Sequence, residues 1–431
     1  MKKTFVFLGM SAIAAVALGD APQVGNLRLI SQTASGVCTF GYTLSSAPAV
    51  VTFEVATNGV AASPQADLTG TINELLEPDA AERTFTWRPI GDLSAADLAG
   101  AQFRLVAWPT NALPDYLVID IGTKTVPNRY YPSAAHLPEG GLKNRIYATE
   151  RLVMRKIPAA GVTWYMGSTS STDPQRNTNE ERHRVTFTSD YWFSIYPVTK
   201  RQFINMGADI SRLNMRIKYD NEDHPATGFT QGTGSSLNNT LRGSPSDGIN
   251  WPTTGTNVLA TSPIGLFRTA TDILFDLPTE AQWEYACRAG TGTASYDGST
   301  TITAEVANRL ATWGGNSKTE YINASGVLEG AATPVGMHEP NAWGIYDLYG
   351  MVWEGCLDWY TARLTSDATD PKGPEVASPA VGTHQRVRKG GCFSSSVADS
   401  SGVSYLRSAY RNYGGSGTDY GIRLVCPIGL K

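Results

Sequence analysis

Glycine and proline interrupt this chain so often that long helices and wide sheets cannot run through it. The 431 residues include 43 glycines and 24 prolines, more than average usage supplies. Hydrophobic residues still make up 41% of the chain, which is enough for a sizeable core. We therefore predict a globular α+β protein of two or three domains in which loops form much of the fold.

The charge balance argues against nucleic acid as a partner. Lysine and arginine number 35 against 39 aspartates and glutamates, so the formal net charge is −4. Binding to a phosphate backbone requires a concentration of basic side chains, and no basic stripe is present in the sequence.

The first 19 residues are typical of a secretory signal peptide. Lys2 and Lys3 precede an apolar run from Phe5 to Leu18, and small residues before Asp20 suit a cleavage site. No later stretch reaches the roughly 18 apolar residues that a membrane span needs. We expect an exported protein (periplasmic, cell-surface or secreted) with no membrane span.

Residues 22–122 predict a β-sandwich of the immunoglobulin or fibronectin-III kind. Apolar and polar residues alternate in short runs separated by turn residues. The predicted strands are 37–44, 49–60, 83–89 and 103–108. Trp87, Trp108 and Tyr116 are expected to be core residues rather than binding aromatics. Residues 123–151, which include three prolines and a Gly-Gly pair, are predicted to be a linker.

Residues 152–428 have a different texture, with short apolar runs among Gly- and Ser-rich stretches. The clearest helix lies within Leu277 to Thr291. Thr279 is a good N-cap, Gln282 three residues later completes a capping box, and Gly290 can close the C-terminus.

Charged residues interrupt several apolar segments of this second region. Such charges are tolerated in a core only when they are paired or bound to metal. We expect them to form ion pairs that tie loops to the short helices. The residues concerned are Glu280, Glu284, Glu354, Arg407, Arg411 and Arg423.

The second region resembles the formylglycine-generating enzymes, also called sulfatase-modifying factors. Seven motifs in the family's order carry the resemblance: AAGVTWYMGS, YWFSIYPVTKRQF, LPTEAQWEYACRAGT, PNAWGIYDLYGMVWEGCLDWY, RVRKGGCF, LRSAYR and GIRLV. The resemblance implies a loop-rich variant of the C-type-lectin fold. An N-terminal sandwich before this region also resembles an arrangement found in secreted bacterial members of the family.

The resemblance also implies a calcium site in the segment YDLYGMVWEG. Asp347 and Glu354 would supply side-chain oxygens, and Gly350 and Val352 would supply carbonyl oxygens, which are the hard ligands that calcium prefers. The alternative is that Asp347 caps a turn and Glu354 pairs with an arginine.

The family's founding activity oxidises a substrate cysteine to formylglycine with oxygen and copper. Its two copper cysteines lie five residues apart, the first at the fourth position after the second glycine of the GGS motif. That position is Ser395 here, and Cys392 stands where the family has serine. Serine cannot replace a thiolate on Cu(I), so we do not expect copper. Cys392 and Ser395 remain weak catalytic candidates.

Two further family features are missing from the chain. The Cys287 position is half of a disulfide in part of the family, and its partner position is Ser408 here. The iron-dependent branch needs an H-x-x-x-H-x-E motif that the five histidines do not form. Each histidine is instead expected in a loop or at the surface.

Three functions remain open from the sequence. The first is a non-catalytic member that binds a peptide, glycan or protein, with the sandwich as a spacer. The second is an active, oxygen-dependent cysteine-oxidising enzyme that uses a non-standard residue set including Cys392. The third is a structural exported protein with neither ligand nor chemistry.

Overall fold

The computed structural model describes residues 10–14, 21–57, 60–62, 67–88, 100–124, 126–209, 222–228, 241–243, 258–317, 321–322, 328–361, 366–374, 386–400, 402, 404–414 and 418–429. The chain divides into two compact units, Met1–Tyr147 and Ala148–Lys431. Among the helices so described, none is both long enough and apolar enough to cross a membrane. The predicted signal peptide lies outside the described residues, apart from a short strand at Met10–Ala14.

The first unit is built from strands. They are β1 (Met10–Ala14), β2 (Gln23–Gln32), β3 (Cys38–Ser45), β4 (Ala49–Thr57), β5 (Val60–Ala62), β6 (Asp67–Gly70), β7 (Leu75–Leu76), β8 (Asp79–Arg88), β9 (Gln102–Pro109), β10 (Tyr116–Asp120) and β11 (Arg129–Tyr131). One sheet has the order β1-β9-β4-β5, with β7 also on β4, and the other has the order β2-β3-β8-β6. All these pairs are antiparallel except β1 with β9.

The two sheets face each other across an aromatic core. The ring centroid of Phe40 on β3 lies 5.3 Å from that of Phe53 on β4, and Trp87 on β8 lies 5.4 Å from Phe103 on β9. Alternate residues are buried in the central part of β9 and at the end of β8, because successive side chains of a strand point to opposite faces. The immunoglobulin or fibronectin-III topology of this unit stays a prediction.

Two of the three predicted core aromatics are buried. Trp87 and Tyr116 are buried, whereas Trp108 is only half-buried and donates its ring N–H to the Thr52 hydroxyl at 2.8 Å. The segment predicted as a linker contains β11 and two short 3-10 helices, Ala134–His136 and Gly141–Lys143.

The second unit combines short strands and short helices, as its glycine content predicts. Its strands are β12 (Arg151–Ile157), β13 (Thr163–Met166), β14 (His183–Thr186), β15 (Tyr191–Ser194), β16 (Ala311–Thr312), β17 (Tyr321–Ile322), β18 (Leu328–Glu329), β19 (Tyr349–Gly350), β20 (Trp353–Trp359), β21 (Ala368–Thr369), β22 (Arg386–Lys389), β23 (Asn412–Tyr413), β24 (Tyr420–Gly421) and β25 (Val425–Pro427). Its helices are α2 (Lys200–Asn205), α3 (Pro263–Thr271), α4 (Glu280–Arg288) and α5 (Ala304–Leu310), while α1 (Ile146–Thr149) spans the division between the units.

The sheet that positions the candidate site has the order β23-β22-β20-β24. Strands β20 and β22 run antiparallel, with Glu354 opposite Lys389 and Trp359 opposite Arg386. The residues after Lys389 therefore lie at the Trp353 end of β20, and Trp359 lies at the other end.

Helix α4 is the centre of the second unit, and all nine of its residues are buried. The predicted capping box is confirmed: the Thr279 hydroxyl accepts the Gln282 N–H at 3.2 Å, and the Gln282 side chain accepts the Thr279 N–H at 2.9 Å. The predicted closure at Gly290 is displaced by one residue, because the left-handed C-cap is Ala289, with φ 44°. Gly290 follows it, also at positive φ.

The expected ion pairs are confirmed, and they are buried. The pairs are Glu280 with Arg411, Glu284 with Arg288 and Lys389, Glu354 with Arg423, and Arg407 with Asp173 and Glu180. The expectation for the histidines is wrong for His183, a buried residue of strand β14. His224 is buried but lies in a loop, as expected. Strand pairing holds His183 in place, and its spacing from the other histidines carried no sign of that.

Candidate functional site

The candidate site begins where strand β22 ends in two glycines. Gly390 and Gly391 both have positive φ, of 89° and 79°, a conformation that side chains with a Cβ rarely adopt. A Cβ on Gly390 would lie 2.8 Å from the Leu348 carbonyl oxygen. The two glycines thus allow the backbone to turn and to pass close to Leu348. The segment from Cys392 to Ser395 follows directly.

This segment is a tight turn held by its own hydrogen bonds. The Cys392 N–H donates to the Ser395 hydroxyl at 2.9 Å, and the Ser395 N–H donates to the Cys392 carbonyl at 2.9 Å. The Ser395 carbonyl accepts the Gly314 N–H at 2.9 Å, which ties the turn to the chain beyond β16. The two weak catalytic candidates of the sequence therefore lie together in one turn.

The Cys392 thiol is surrounded by oxygen atoms. Its Sγ lies 3.2 Å from the Ser394 hydroxyl, 3.6 Å from the Ser395 hydroxyl and 3.3 Å from Oδ2 of Asp419. The side chain is buried. Burial, and next the Asp419 carboxylate, raise the pKa of the Cys392 thiol to about 11. At neutral pH the group is a protonated thiol, which is neither a strong nucleophile nor a good metal ligand.

The other cysteines are also buried, and none of the five forms a disulfide. The Cys287 Sγ lies 3.7 Å from the Ser408 hydroxyl, which in turn lies 2.6 Å from the Tyr349 hydroxyl. Burial raises the pKa of Cys287 to about 11. Ser408 thus lies beside Cys287, as the resemblance implied, and a hydroxyl stands where the bridge would form.

Glu354 takes part in an ion pair beside the turn. Both of its oxygens accept Nε of Arg423 at 2.8 Å, and Oε2 also accepts the Trp283 ring N–H at 2.5 Å. This is the alternative that the sequence left open for Glu354. Asp347 has φ 56°, and its Oδ2 accepts the Gly336 N–H at 2.7 Å. Gly350 and Val352, which lie between Asp347 and Glu354 in the sequence, are also buried.

Aromatic side chains form a cluster next to the turn. The Tyr405 and Tyr410 rings stack with centroids 4.8 Å apart, and Trp353 lies 6.3 Å from Tyr405. The Arg388 guanidinium lies over the Trp353 ring at 4.3 Å. The Trp353 N–H donates to the Asp419 carbonyl at 2.8 Å, which links the cluster to the neighbours of Cys392. Tyr405 and Arg388 are only half-buried, so the cluster presents aromatic and cationic surface to solvent.

Comparison with known proteins identifies the family of the second unit. A family profile described as "Sulfatase-modifying factor enzyme 1-like domain" matches residues 151–428, more than half of the chain. The chain belongs to this family. Its mostly β structure with few helices and the order of its motifs agree with that membership.

The curated relatives of this sulfatase-modifying-factor domain match it over limited stretches. The formylglycine-generating enzyme of Thermomonospora curvata is 38% identical over 122 residues, and that of Mus musculus is 33% identical over 131 residues. Each match covers 27% of this chain, and 38% and 30% of the respective relatives. The matches thus span about a third of the length of these relatives.

Solved structures show similarity of a weaker kind. Treponema denticola variable protein 1 has 21% identity and a TM-score of 0.44, over 64% of this chain and 95% of that chain. PvdO from Pseudomonas aeruginosa has 19% identity and a TM-score of 0.41, over 64% of this chain and 94% of that chain.

The residues of the sulfatase-modifying-factor turn do not fit copper. Cu(I) is a soft ion that prefers thiolate sulfur, whereas the polar atoms within 3.6 Å of Cys392 Sγ belong to two serines and one aspartate. The thiol itself holds its proton at neutral pH. We derive no chemistry through copper at this site.

One of the predicted calcium ligands, Glu354, already has a charged partner. The Glu354 carboxylate is engaged by a buried guanidinium, and a cation placed there would meet the positive charge of Arg423 at close range. In the described part of the chain, no group of three or more His, Cys, Asp or Glu side chains is placed to hold a metal ion. Calcium remains a prediction. A chelator that lowers the melting temperature would support it, and an unchanged melting temperature would remove it.

Sequence reasoning missed two residues of this site. Asp419 lies in a loop 27 positions after Cys392, and Arg388 belongs to the RVRKGGCF motif, where its stacking on Trp353 was not predicted. Antiparallel pairing of β20 and β22 could have suggested the Arg388 contact, since Arg388 lies opposite Gly355. No pattern in the sequence indicated Asp419.

Proposed function

We propose that this protein is an exported member of the sulfatase-modifying-factor family that binds a peptide, glycan or protein ligand and does not generate formylglycine. The observation that carries the proposal is the environment of Cys392. Its thiol contacts two hydroxyls and a carboxylate, and its pKa is raised to about 11. Oxygen-dependent oxidation of a substrate cysteine in this family relies on copper held by two sulfur ligands, and these donors do not supply them.

The aromatic cluster supports the binding half of the proposal. Tyr405 and Arg388 are half-buried, and each stacks on a neighbouring ring. Tyrosine, tryptophan and arginine are enriched at the centres of binding interfaces because they offer large contact areas together with polar ends. Such a surface suits the apolar face of a sugar or an aromatic peptide side chain.

An active enzyme that uses Cys392 is the second candidate. The observation that favours it is the similarity to curated formylglycine-generating enzymes. A buried thiol with a raised pKa weighs against it, because the thiolate is the reactive form.

Ligand arrays with matched variants separate the two candidates. The full chain is applied to glycan and peptide arrays as the wild type, as Tyr405→Ala and as Cys392→Ser. The binding proposal expects a specific ligand whose binding Tyr405→Ala weakens at least tenfold and Cys392→Ser leaves intact. Absence of any ligand on the arrays, together with metal-free protein, would favour a purely structural role.

Export and a spacer role for the first unit complete the proposal. The N-terminal Lys-Lys pair, the apolar run and the small residues before Asp20 support cleavage there. We propose that the first unit is an immunoglobulin- or fibronectin-III-like sandwich that holds the family domain away from its point of attachment. Mass spectrometry of the mature protein should find an N-terminus at Asp20, and an intact Met1 would contradict export by this route.

A further inference from the structure

A cavity lies near the end of strand β20 that is farther from Cys392. Its volume is about 450 Å³, within the range of small-molecule sites. Apolar walls come from Met166 of β13, Ala281 of α4, Pro371 and Pro374. Because β20 runs antiparallel to β22, the end of β20 that reaches this cavity is opposite to the end beside the Cys392 turn. The cavity is therefore separate from the candidate site above.

Asp358 lines the cavity, and one of its two carboxylate oxygens already accepts a hydrogen bond from the protein. The side chain is 2% exposed, and its Oδ2 accepts the Glu280 N–H at the start of α4 at 2.7 Å. Within the described part of the chain, Oδ1 has no hydrogen-bond partner. Gly373, with φ 71°, passes so close that a Cβ there would lie 3.1 Å from Oδ1. This carboxylate, on a residue that lines the cavity, thus has an acceptor position left for a ligand.

The charges around Asp358 are mostly engaged elsewhere. Glu280 and Arg411 form a two-point pair with N–O distances of 2.8 Å, and the Arg386 guanidinium lies over the Trp359 ring at 3.4 Å. Burial and next Glu280 raise the pKa of Asp358 to about 7, although the Glu280 N–H, Arg411 and Arg386 act in the opposite direction. Unlike Glu280, Glu284 and Glu354, Asp358 forms no ion pair with any described residue.

Two further polar groups line the same cavity. His183 of β14 places Nδ1 2.9 Å from the Glu181 carbonyl. A carbonyl only accepts, so Nδ1 carries a proton and donates to it. Lys372 also lines the cavity and forms no ion pair within the residues that the structure describes. One acid and one ammonium group, neither of them neutralised by a partner of the opposite charge, therefore share one partly apolar cavity.

We propose that this cavity binds a small zwitterion of the amino-acid class, with its ammonium group on Asp358 and its carboxylate towards Lys372. The apolar side chain of the ligand packs against Met166 and the two prolines. The ligand ammonium then pairs with Asp358 and the ligand carboxylate with Lys372, two residues that form no ion pair within the described part of the chain. Hydrogen bonds between charged groups are the strong ones in proteins, so both ends of the ligand contribute to affinity and selectivity.

Isothermal titration of the full chain with three isosteric probes tests the proposal. The probes are L-leucine, leucinamide, which lacks the carboxylate, and 4-methylpentanoate, which lacks the ammonium group. L-leucine should bind, and each of the other two should bind at least tenfold more weakly. Equal affinity for L-leucine and either probe, or no heat with L-leucine, would overturn the proposal.

Two variants assign the ends of the ligand. Asp358→Asn keeps an oxygen that can accept the Glu280 N–H, so the fold should survive while L-leucine affinity falls about tenfold or more. Lys372 is half-buried, and Lys372→Met should remove the preference for L-leucine over leucinamide. Since the ligand ammonium requires ionised Asp358, wild-type affinity should rise from pH 6 to pH 8, and Asp358→Asn should abolish that rise. Variants that bind L-leucine like the wild type would contradict the assignment.

Discussion

The two units of this chain bury their interiors by different means. In the first unit, the core lies between two sheets and is formed by hydrophobic side chains, among them the aromatic residues Phe40, Phe53 and Trp87. In the second unit, the core also contains carboxylates and guanidinium groups, among them Glu354 and Arg423, which are at most 1% exposed. Both solutions exclude water, but only the second relies on ion pairs between buried side chains.

The difference follows from the amount of regular structure. Sheets satisfy their own backbone groups, whereas loops leave carbonyls that must find donors elsewhere. In the second unit, arginines supply those donors. Arg423 donates to the Ser194 and Tyr346 carbonyls at 2.9 Å, and Arg411 donates to the Thr361 carbonyl at 2.7 Å. Buried carboxylates then balance the arginine charges. A glycine-rich, loop-rich chain thus favours an ionic core.

Removing one buried arginine should have the largest effect on this comparison. Arg423→Met leaves the Glu354 carboxylate buried without its ion-pair partner. We therefore expect the free energy of unfolding of the second unit to fall by about 3–5 kcal/mol. Urea unfolding of the full chain, followed by tryptophan fluorescence, measures the loss. The double variant Arg423→Met/Glu354→Gln should recover part of it, because the amide oxygen can still accept the Trp283 N–H. An unchanged single variant would show that the ionic core is not needed.

Acid should destabilise the second unit before the first. Burial alone would raise the pKa of Glu284, but Lys389 and Arg288 outweigh burial and hold this pKa at about 2, below the ordinary value of 4.5. The stability from this pairing is therefore complete above about pH 4.5 and is lost as the pH falls towards 2, on the order of 3 kcal/mol for this group.

Asp358 acts with the opposite sign. Its pKa of about 7 exceeds the ordinary value of 3.8. The contribution of Asp358 to the free energy of unfolding therefore falls as the pH rises from about 4 to 7. Urea midpoints of each unit between pH 2.5 and 7 check both effects, with Glu284→Gln and Asp358→Asn as matched controls. An acid transition of equal steepness in both units would contradict the distinction between their cores.

The smallest effect is expected from an ion pair of the first unit. Arg28 and Glu82 form a two-point pair, but their side chains are 58% and 37% exposed. Arg28→Ala should therefore change the free energy of unfolding by only about 0–1 kcal/mol. The same urea measurement applies, and a loss comparable to that of Arg423→Met would show that burial is not what separates the two classes of pair.

Features of the fold that depend on neighbouring residues could be predicted from the sequence. Contacts between residues far apart in the sequence could be predicted only in part. The capping box at Thr279 and Gln282 was predictable because its three-residue spacing is local. Buried charges predicted ion pairs, but not which arginine meets which glutamate. Glu354 and Arg423 lie 69 positions apart, and Glu280 and Arg411 lie 131 positions apart, so no local spacing links them.

The candidate site shows the same limit. The resemblance to the family motif pointed to Cys392 and Ser395, whereas Asp419 comes close to the thiol because β24 pairs with β20. Asp358 and His183 come from separate sheets and meet at one cavity. Neither association leaves a periodic pattern in the sequence, so only the folded arrangement reveals it.

The most direct test of the account is the conversion of a sulfatase-type cysteine peptide. The purified full chain is supplied with Cu(I), oxygen and reductant, and the peptide is followed by mass spectrometry, with metal analysis of the recovered protein. We expect no stoichiometric copper and an unmodified peptide. Aldehyde product that the wild type forms and Cys392→Ser does not would contradict the proposal that this family member binds rather than oxidises.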